Sequence, residues 1–578
     1  MNLIFQYLLF TGISCWQAPR AEVEYQLWQR AERPQEWEIR VSVRGLDPQA
    51  GPVAFRLQDW GGWSEVDSLY LERVASEPPS EPPREANSET VGLWTLQIPE
   101  DWDGRASFHY RLHLPKLDSK VQRRLGLLPT RAPDYAFGFR WNTLVEVLQR
   151  GEPIPARRTL EIHADNGSEI VTGWGGRSRK KQRVELAGDG GNGPIAIGRI
   201  AAQASGRRGD FKVEVFQFGQ GGNAVDTVLQ CLLAVGPELE RIYGIRLPRP
   251  YRAFLTDTQG GGMGSRAGLR LGAQRQDPPG EERGFWFRQL IVHELLHHYN
   301  GILLREINQD SLWFKEGFTD YLALWHATAV GQVPRSWFAE RIQELDAFAR
   351  QRSAFGRVSF LEPGGSWRDG DGPLETMAYS GAAVMAFAAD AELRSQGKPG
   401  LVQILRDLLA AEENYGIEQL QSWFEQNGLQ AFWKQAVAGT EVPSAKQSLL
   451  KAGWTQEGQE VSLTYFGIAV DLEDSRRIAA VDPNGPAAKA GIQAGDWITG
   501  YYPARRTAAE VPAKLEGDYP WGLGAFLPSE SGQTYVGVHR EGQDLQVFLD
   551  PVLRPGGILV SLEEGPEAER FFQFAADS

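Results

Sequence analysis

The sequence predicts a multidomain α+β protein, with an N-terminal β-sandwich-like domain, an α-rich centre and a small β-rich module towards the C-terminus. Three observations predict it. A chain of 578 residues exceeds what one hydrophobic core usually covers, so several domains of ~150 residues are expected. Apolar residues alternate with period two near the N-terminus and again after Gly453. Between those stretches they recur at helical spacing.

Residues 1–21 (MNLIFQYLLFTGISCWQAPRA) hold an apolar stretch from Leu3 to Ile13 and read as a signal peptide. Ser14-Cys15 is similar to the end of a bacterial lipoprotein cleavage site, which would place the protein in the periplasm or cell envelope, anchored at Cys15. No Lys or Arg precedes the apolar stretch, and Gly12 stands where such a site has Leu. A first strand or frayed terminus on a cytoplasmic protein is the competing reading.

Residues 22–215 read as the N-terminal β domain. Trp37-Glu38-Ile39-Arg40-Val41-Ser42-Val43 and Ala106-Ser107-Phe108-His109-Tyr110-Arg111-Leu112 alternate with period two. The Pro-, Glu- and Ser-rich stretch 75–89 reads as an exposed loop. Residues 216–452 form the helical domain. Val225, Val228, Leu229, Leu232 and Leu239 predict a helix over 223–243, interrupted at Gly236-Pro237. Further helices are expected over 287–300, 312–329, 337–350, 377–394, 400–411 and 417–438. Residues 453–552 return to strands around a turn and short helix at 483–491, and 553–578 read as a tail.

Composition narrows the function classes. With 42% hydrophobic and 23% charged residues the chain is neither mainly disordered nor collagen-like. No apolar run reaches the ~20 residues of a membrane-spanning helix. The balance of 60 Lys+Arg against 74 Asp+Glu gives a charge of -14, which repels phosphate backbones and argues against nucleic acid. Two cysteines exclude a disulfide scaffold and a Cys-based zinc site; Cys231, in an apolar run, reads as a buried thiol.

The centre carries chemistry. In His293-Glu294-Leu295-Leu296-His297 the two imidazoles lie four residues apart, so on a helix both reach one Zn²⁺. Glu294 sits beside them without being a ligand, in place to take a proton from metal-activated water. Glu316, in Leu312-Trp313-Phe314-Lys315-Glu316-Gly317-Phe318-Thr319-Asp320-Tyr321, opens a second helix and completes a two-His, one-Glu set that leaves the fourth position open. Asp320, one turn later, is placed to hold the far nitrogen of a ligand histidine.

These two motifs resemble the M61 glycyl aminopeptidase family, gluzincin zinc peptidases with an N-terminal β domain, a thermolysin-like catalytic domain and a C-terminal PDZ domain. The resemblance implies one Zn²⁺ per chain and a Tyr that donates to the oxyanion, best matched by Tyr379 in Met377-Ala378-Tyr379-Ser380-Gly381. It also implies a substrate-pairing glycine strand, matched by Gly260, Gly261, Gly262 and Met263. That strand lacks the Glu that anchors a substrate α-ammonium in aminopeptidases of this type, and Glu281 and Glu282 fall in what reads as a solvated loop. An aminopeptidase and an endopeptidase or dipeptide-releasing enzyme therefore both stand.

Residues 484–498, Asn484-Gly485-Pro486 through Asp496-Trp497-Ile498, resemble the helix-turn-strand core of bacterial PDZ domains, and Tyr465-Phe466-Gly467-Ile468 resembles their carboxylate-binding loop. That resemblance implies a C-terminal or extended peptide as partner, or a bracing role for the module. A PDZ-bearing binding protein with a structural zinc is the reading from another class. His298 and His326 are expected as neighbours of the metal set or surface residues, and the glycine run 188–193 lacks the ending of a phosphate loop.

Overall fold

The computed structural model describes residues 21–58, 64–71, 84–88, 91–96, 104–115, 129–165, 167–186, 192–219, 224–257, 261–272, 281–307, 309–352, 355–356, 358–363, 372–411, 414–465, 468–470, 477–481, 483, 485–503, 534–549, 552–565 and 567–572. Contacts group the chain into two units, one of residues up to 205 with 214–225 and 250–275, the other of 206–213, 226–249 and 276 onward. The signal and lipid-anchor reading lies outside the described residues, except Ala21, which opens the first strand.

The alternation read at the N-terminus produces a sandwich. One sheet runs Lys181–Leu186, Ala156–Ala164, Ala21–Gln29, Glu36–Arg44, Ala106–His113, Ser64–Leu71, with Ala21–Gln29 parallel to Ala156–Ala164. The other runs Glu152–Pro153, Glu146–Gln149, Val53–Gln58, Val91–Leu96, Arg84–Ser88. Inward residues of both, among them Tyr25, Ile39, Phe108, Phe55, Trp94 and Val147, share one core. Arg84–Ser88 falls within the stretch expected as a loop, yet it pairs with Val91–Leu96. A third sheet, with Tyr135–Phe139 and Pro194–Gly198 at its centre, buries Phe137 and Phe139 with Phe216, Phe218 and Phe254. These last phenylalanines come from a sheet ordered Ile200–Arg208, Phe211–Phe218, Tyr251–Thr256, Gly268–Gly272, Gly262–Ser265, so the glycine-rich strand is its edge.

In the second unit the helix Val225–Tyr243 runs through Pro237 without the expected break. Val228, Leu232, Val235 and Leu239 are fully buried along it, which offsets the hydrogen bond proline removes. The helix Glu281–Leu296 begins earlier than read, so Glu281 and Glu282 open a helix instead of lying in a loop. The expected helix 417–438 is broken, because Gly428 turns into the left-handed region (φ 76°) after Ile417–Gln426. The stretches 312–329 and 377–394 each contain a π-helical turn, Phe314–Phe318 and Met377–Gly381, ahead of the α-helices Thr319–Ala329 and Ala382–Ser395.

The C-terminal module packs Ile478, Ala487, Ile492, Ile498 and Val538 into a small core. Asp496, almost wholly buried, accepts two 2.7 Å hydrogen bonds from Arg540. The segment expected as a tail is structured. Its strand Val552–Glu564 pairs antiparallel with Trp454–Tyr465, and its helix Ala568–Phe571 buries Phe571 against Phe338, Phe387 and Trp454.

Candidate metal centre

The centre is built where the end of the helix Glu281–Leu296 meets the π-turn Phe314–Phe318. Regular helix stops at Leu296, but His297 N still bonds His293 O at 3.1 Å, so the i, i+4 relation that aligns the two imidazoles is kept. The donor atoms of His293, His297 and Glu316 all lie within 4.8 Å of one another. His293 Nε2 and His297 Nε2 are 2.9 Å apart, and Glu316 Oε2 is 3.6 Å from the first and 3.3 Å from the second. All three side chains are nearly inaccessible to solvent.

This donor set fits a divalent cation. Two imidazole lone pairs cannot face each other at 2.9 Å without a proton or cation between them. Donors 2.0–2.1 Å from a tetrahedral zinc would stand about 3.3 Å apart, within the range found here. Where a proton fills that place, burial disfavours the charge on His293, but the Asp320 and Glu316 carboxylates outweigh it and hold the imidazole well above its usual pKa. Glu316 is likewise penalised by burial yet held well below the usual carboxylate range by His297 and His293.

The far nitrogens are held differently. His293 Nδ1 lies 3.2 Å from Asp320 Oδ1, a charge contact whose alignment falls short of a hydrogen bond. His297 Nδ1 is 3.0 Å from the backbone oxygen of Asn300; since a carbonyl only accepts, Nδ1 carries the proton and Nε2 keeps its lone pair. The sequence reading assigned Asp320 such a role but none to Asn300, whose contribution is a main-chain oxygen and leaves no side-chain signature.

Glu294 is buried beside His293. Tyr379 reaches the same place from the second π-turn: its residue is partly exposed, while its hydroxyl is enclosed near the Glu316 carboxylate. Burial, then the charges of Glu316, Glu375 and Glu294, push this phenol well above its usual pKa, so it is a donor at neutral pH. Close approach of the two π-turns requires Gly317, where an added Cβ would stand 2.3 Å from Ala382 Cβ and 2.6 Å from Ala378 O. Lys315 Nζ lies 3.7 Å from Glu316 Oε1 and 3.8 Å from Glu306 Oε1.

Other expected site residues belong to other elements. Gly261, Gly262 and Met263 belong to the first unit, where Met263 packs on the Phe137 and Phe254 cluster; Gly260 lies outside the described residues. Tyr465 ends the strand Trp454–Tyr465, Ile468 packs on the C-terminal module's own core, and Phe466 and Gly467 lie outside the described residues. His298 and His326 are both buried, not surface residues; His326 Nε2 meets the Tyr243 hydroxyl at 3.0 Å, and burial holds its imidazole down to about 3. Cys231 is buried with its thiol pushed up to about 12 by burial, as an inert core cysteine should be.

Residues 477–501 match a PDZ domain family. The sequence matches no curated protein. Among solved structures, an aminopeptidase N family protein from Idiomarina loihiensis superposes with a TM-score of 0.71 at 15% identity, over 95% of this chain and 100% of its own. A mutant M1 zinc metallopeptidase from Deinococcus radiodurans, bound to a Tyr-Ser-Ala substrate, gives 0.46 at 12% identity over 74% and 94%. At such identity a likeness speaks to fold, and the fold is that of a multidomain, aminopeptidase-like α+β chain.

Proposed function

We propose that this chain is a zinc-dependent peptidase of the M61 aminopeptidase type. The observation that carries the reading is the convergence of His293, His297 and Glu316 at one buried point, with Glu294 beside it and the Tyr379 hydroxyl near Glu316. Bound zinc supplies a Lewis acid that polarises the scissile carbonyl and makes water nucleophilic near neutral pH. Glu294 takes the proton from the attacking water and returns it to the leaving amine. Tyr379, protonated at neutral pH, donates to the oxyanion as it develops, a contribution of ~3 kcal/mol for one such donor. Asn300 holds the His297 ring through Nδ1, while Asp320 faces His293 Nδ1.

The test is Glu294→Gln, assayed with peptides and by metal analysis. It should keep one zinc per chain and lose turnover; an active Glu294→Gln protein overturns the scheme. Zinc in the wild-type protein with no cleavage of any peptide would favour the binding-protein alternative. A second reading, cleavage away from a free N-terminus, is favoured by the strand Gly262–Ser265, which bears no acid to hold an α-ammonium. Equal hydrolysis of free and N-acetylated peptides would select it. For the C-terminal module we propose capture of an extended peptide or chain terminus by strand addition. For the whole chain, the signal reading of residues 1–21 makes the periplasm or cell envelope its location.

A further inference from the structure

Resting on the zinc-site reading, we propose that Asn300 is the positioning residue that locks the His297 half of the centre to the Glu316 half, and that Tyr415 holds Asn300 in the state that does so. The two ligands sit on separate elements, one at the end of a helix and one in a π-turn. Their spacing therefore needs a tie other than the helix repeat.

Asn300 is fully buried and touches both halves. Its main-chain oxygen accepts from His297 Nδ1 at 3.0 Å. Its side-chain Nδ2 lies 3.3 Å from Phe314 O, 3.4 Å from Lys315 O and 3.0 Å from Thr319 Oγ1, the residues that bracket Glu316. Both amide hydrogens are thus spent on the ligand-bearing turn and the residue that follows it.

The amide oxygen is held by a residue far along the chain. The Tyr415 hydroxyl donates to Asn300 Oδ1 at 2.8 Å, and a flipped amide would turn its oxygen against the Phe314 and Lys315 carbonyls, which can only accept. Tyr415 is itself pinned: its N–H donates to Arg305 O at 3.1 Å, its carbonyl accepts from Ile307 N at 2.8 Å, and its ring meets Phe314 edge-on at 4.9 Å. The segment between the two ligands is thereby tied to the Tyr415 main chain at Arg305 and Ile307, and to the Asn300 carboxamide at Phe314 and Lys315.

Two substitutions separate this role from bulk packing. Tyr415→Phe removes one oxygen and leaves the ring. Asn300→Leu keeps the main-chain oxygen for His297 but removes the side-chain donors to the Glu316 turn. The full chain is titrated with Zn²⁺ against a chromophoric chelator, its Co²⁺ form is read by visible absorption, and the zinc-free protein is melted. Tyr415→Phe should weaken zinc binding about tenfold and Asn300→Leu by up to about a hundredfold, with a changed Co²⁺ spectrum. Unchanged zinc affinity and spectrum in Tyr415→Phe overturn the proposal, including where the zinc-free melting point falls, since that pattern marks a packing role. Should Asn300→Leu not fold, Tyr415→Phe decides alone. His297→Ala is the control: zinc held as tightly as in wild type would overturn the zinc-site reading itself, whereas zinc lost there and kept in Tyr415→Phe overturns only the role of Asn300.

Discussion

Replacing Gly317 with alanine adds one methyl group at the narrowest point between the two π-turns. The added Cβ would stand 2.3 Å from Ala382 Cβ, 2.6 Å from Ala378 O and 2.9 Å from the Ala382 carbonyl carbon. None of these is the end of a flexible side chain. Carbon atoms in contact prefer about 3.5–4.0 Å, so the turns must part by more than about 1 Å. One turn carries Glu316 and the other Tyr379, so parting the turns displaces the two groups relative to each other. Overpacking of this kind costs about 1–3 kcal/mol of stability, and misplacing catalytic groups by about 1 Å costs about a hundredfold in rate.

Gly317→Ala should therefore lower kcat/KM on a fluorogenic peptide about a hundredfold and shift the urea midpoint downward. Gly284→Ala is the control, since its Cβ would meet only Arg288 Nη1 at 3.8 Å. Placed inside the helix Glu281–Leu296, it should leave turnover alone and stabilise by up to about 1 kcal/mol. Wild-type turnover and midpoint in Gly317→Ala would refute the claim that close approach of the π-turns shapes the site.

Two further outcomes test the surroundings. Phe571, 4% exposed among Phe338, Phe387 and Trp454, should cost about 3–5 kcal/mol when replaced by alanine, read by denaturant unfolding; no loss would mean that the C-terminal helix does not complete this core. Burial holds His326 down to about 3, against about 6.5 unfolded, so between those values the unfolded chain binds a proton the native chain refuses, and stability drops as pH is lowered, by up to about 1.4 kcal/mol per unit. Asp346, pushed up to about 6 by burial, works in the opposite sense from pH 6 down to about 4, so His326→Gln should flatten or reverse the slope there; an unchanged slope counts against the assignment.

What could be read ahead of the structure follows from range. His293 and His297 are four residues apart, and the helix repeat alone brings their rings together. The sandwich strands announce themselves because period two survives wherever one face is buried. The π-turns do not, since one extra residue in a helical turn leaves the apolar pattern of 312–329 and 377–394 almost unchanged. Pro237 and Gly428 show local rules losing and winning. A helix buried along one face absorbs the proline, whereas the glycine ends a helix that the apolar pattern alone would continue. The last strand was illegible as such because its partner, Trp454–Tyr465, lies on the far side of the whole PDZ-type module.

The same distinction separates the ligands from what holds them. A metal site must advertise its donors, because only a few side chains can serve, but its supports are free to be main-chain oxygens or hydroxyls from distant segments. Here the support for His297 is a carbonyl, and the hydroxyl that bonds the side chain of the same asparagine comes from 115 positions away. The charges argue in the same direction. Glu294, Glu316 and Asp320 crowd the centre and Glu375 adds to its field, while Lys315 is the single permanent cation among the contacts described for the ligand set. Glu294 and Glu316 are buried, and burying them without a counter-ion would cost several kcal/mol per carboxylate. On the proposed zinc-site reading, a divalent cation would remove that cost at the point where two imidazoles and a carboxylate converge, and would leave Glu294 beside it as the proposed base.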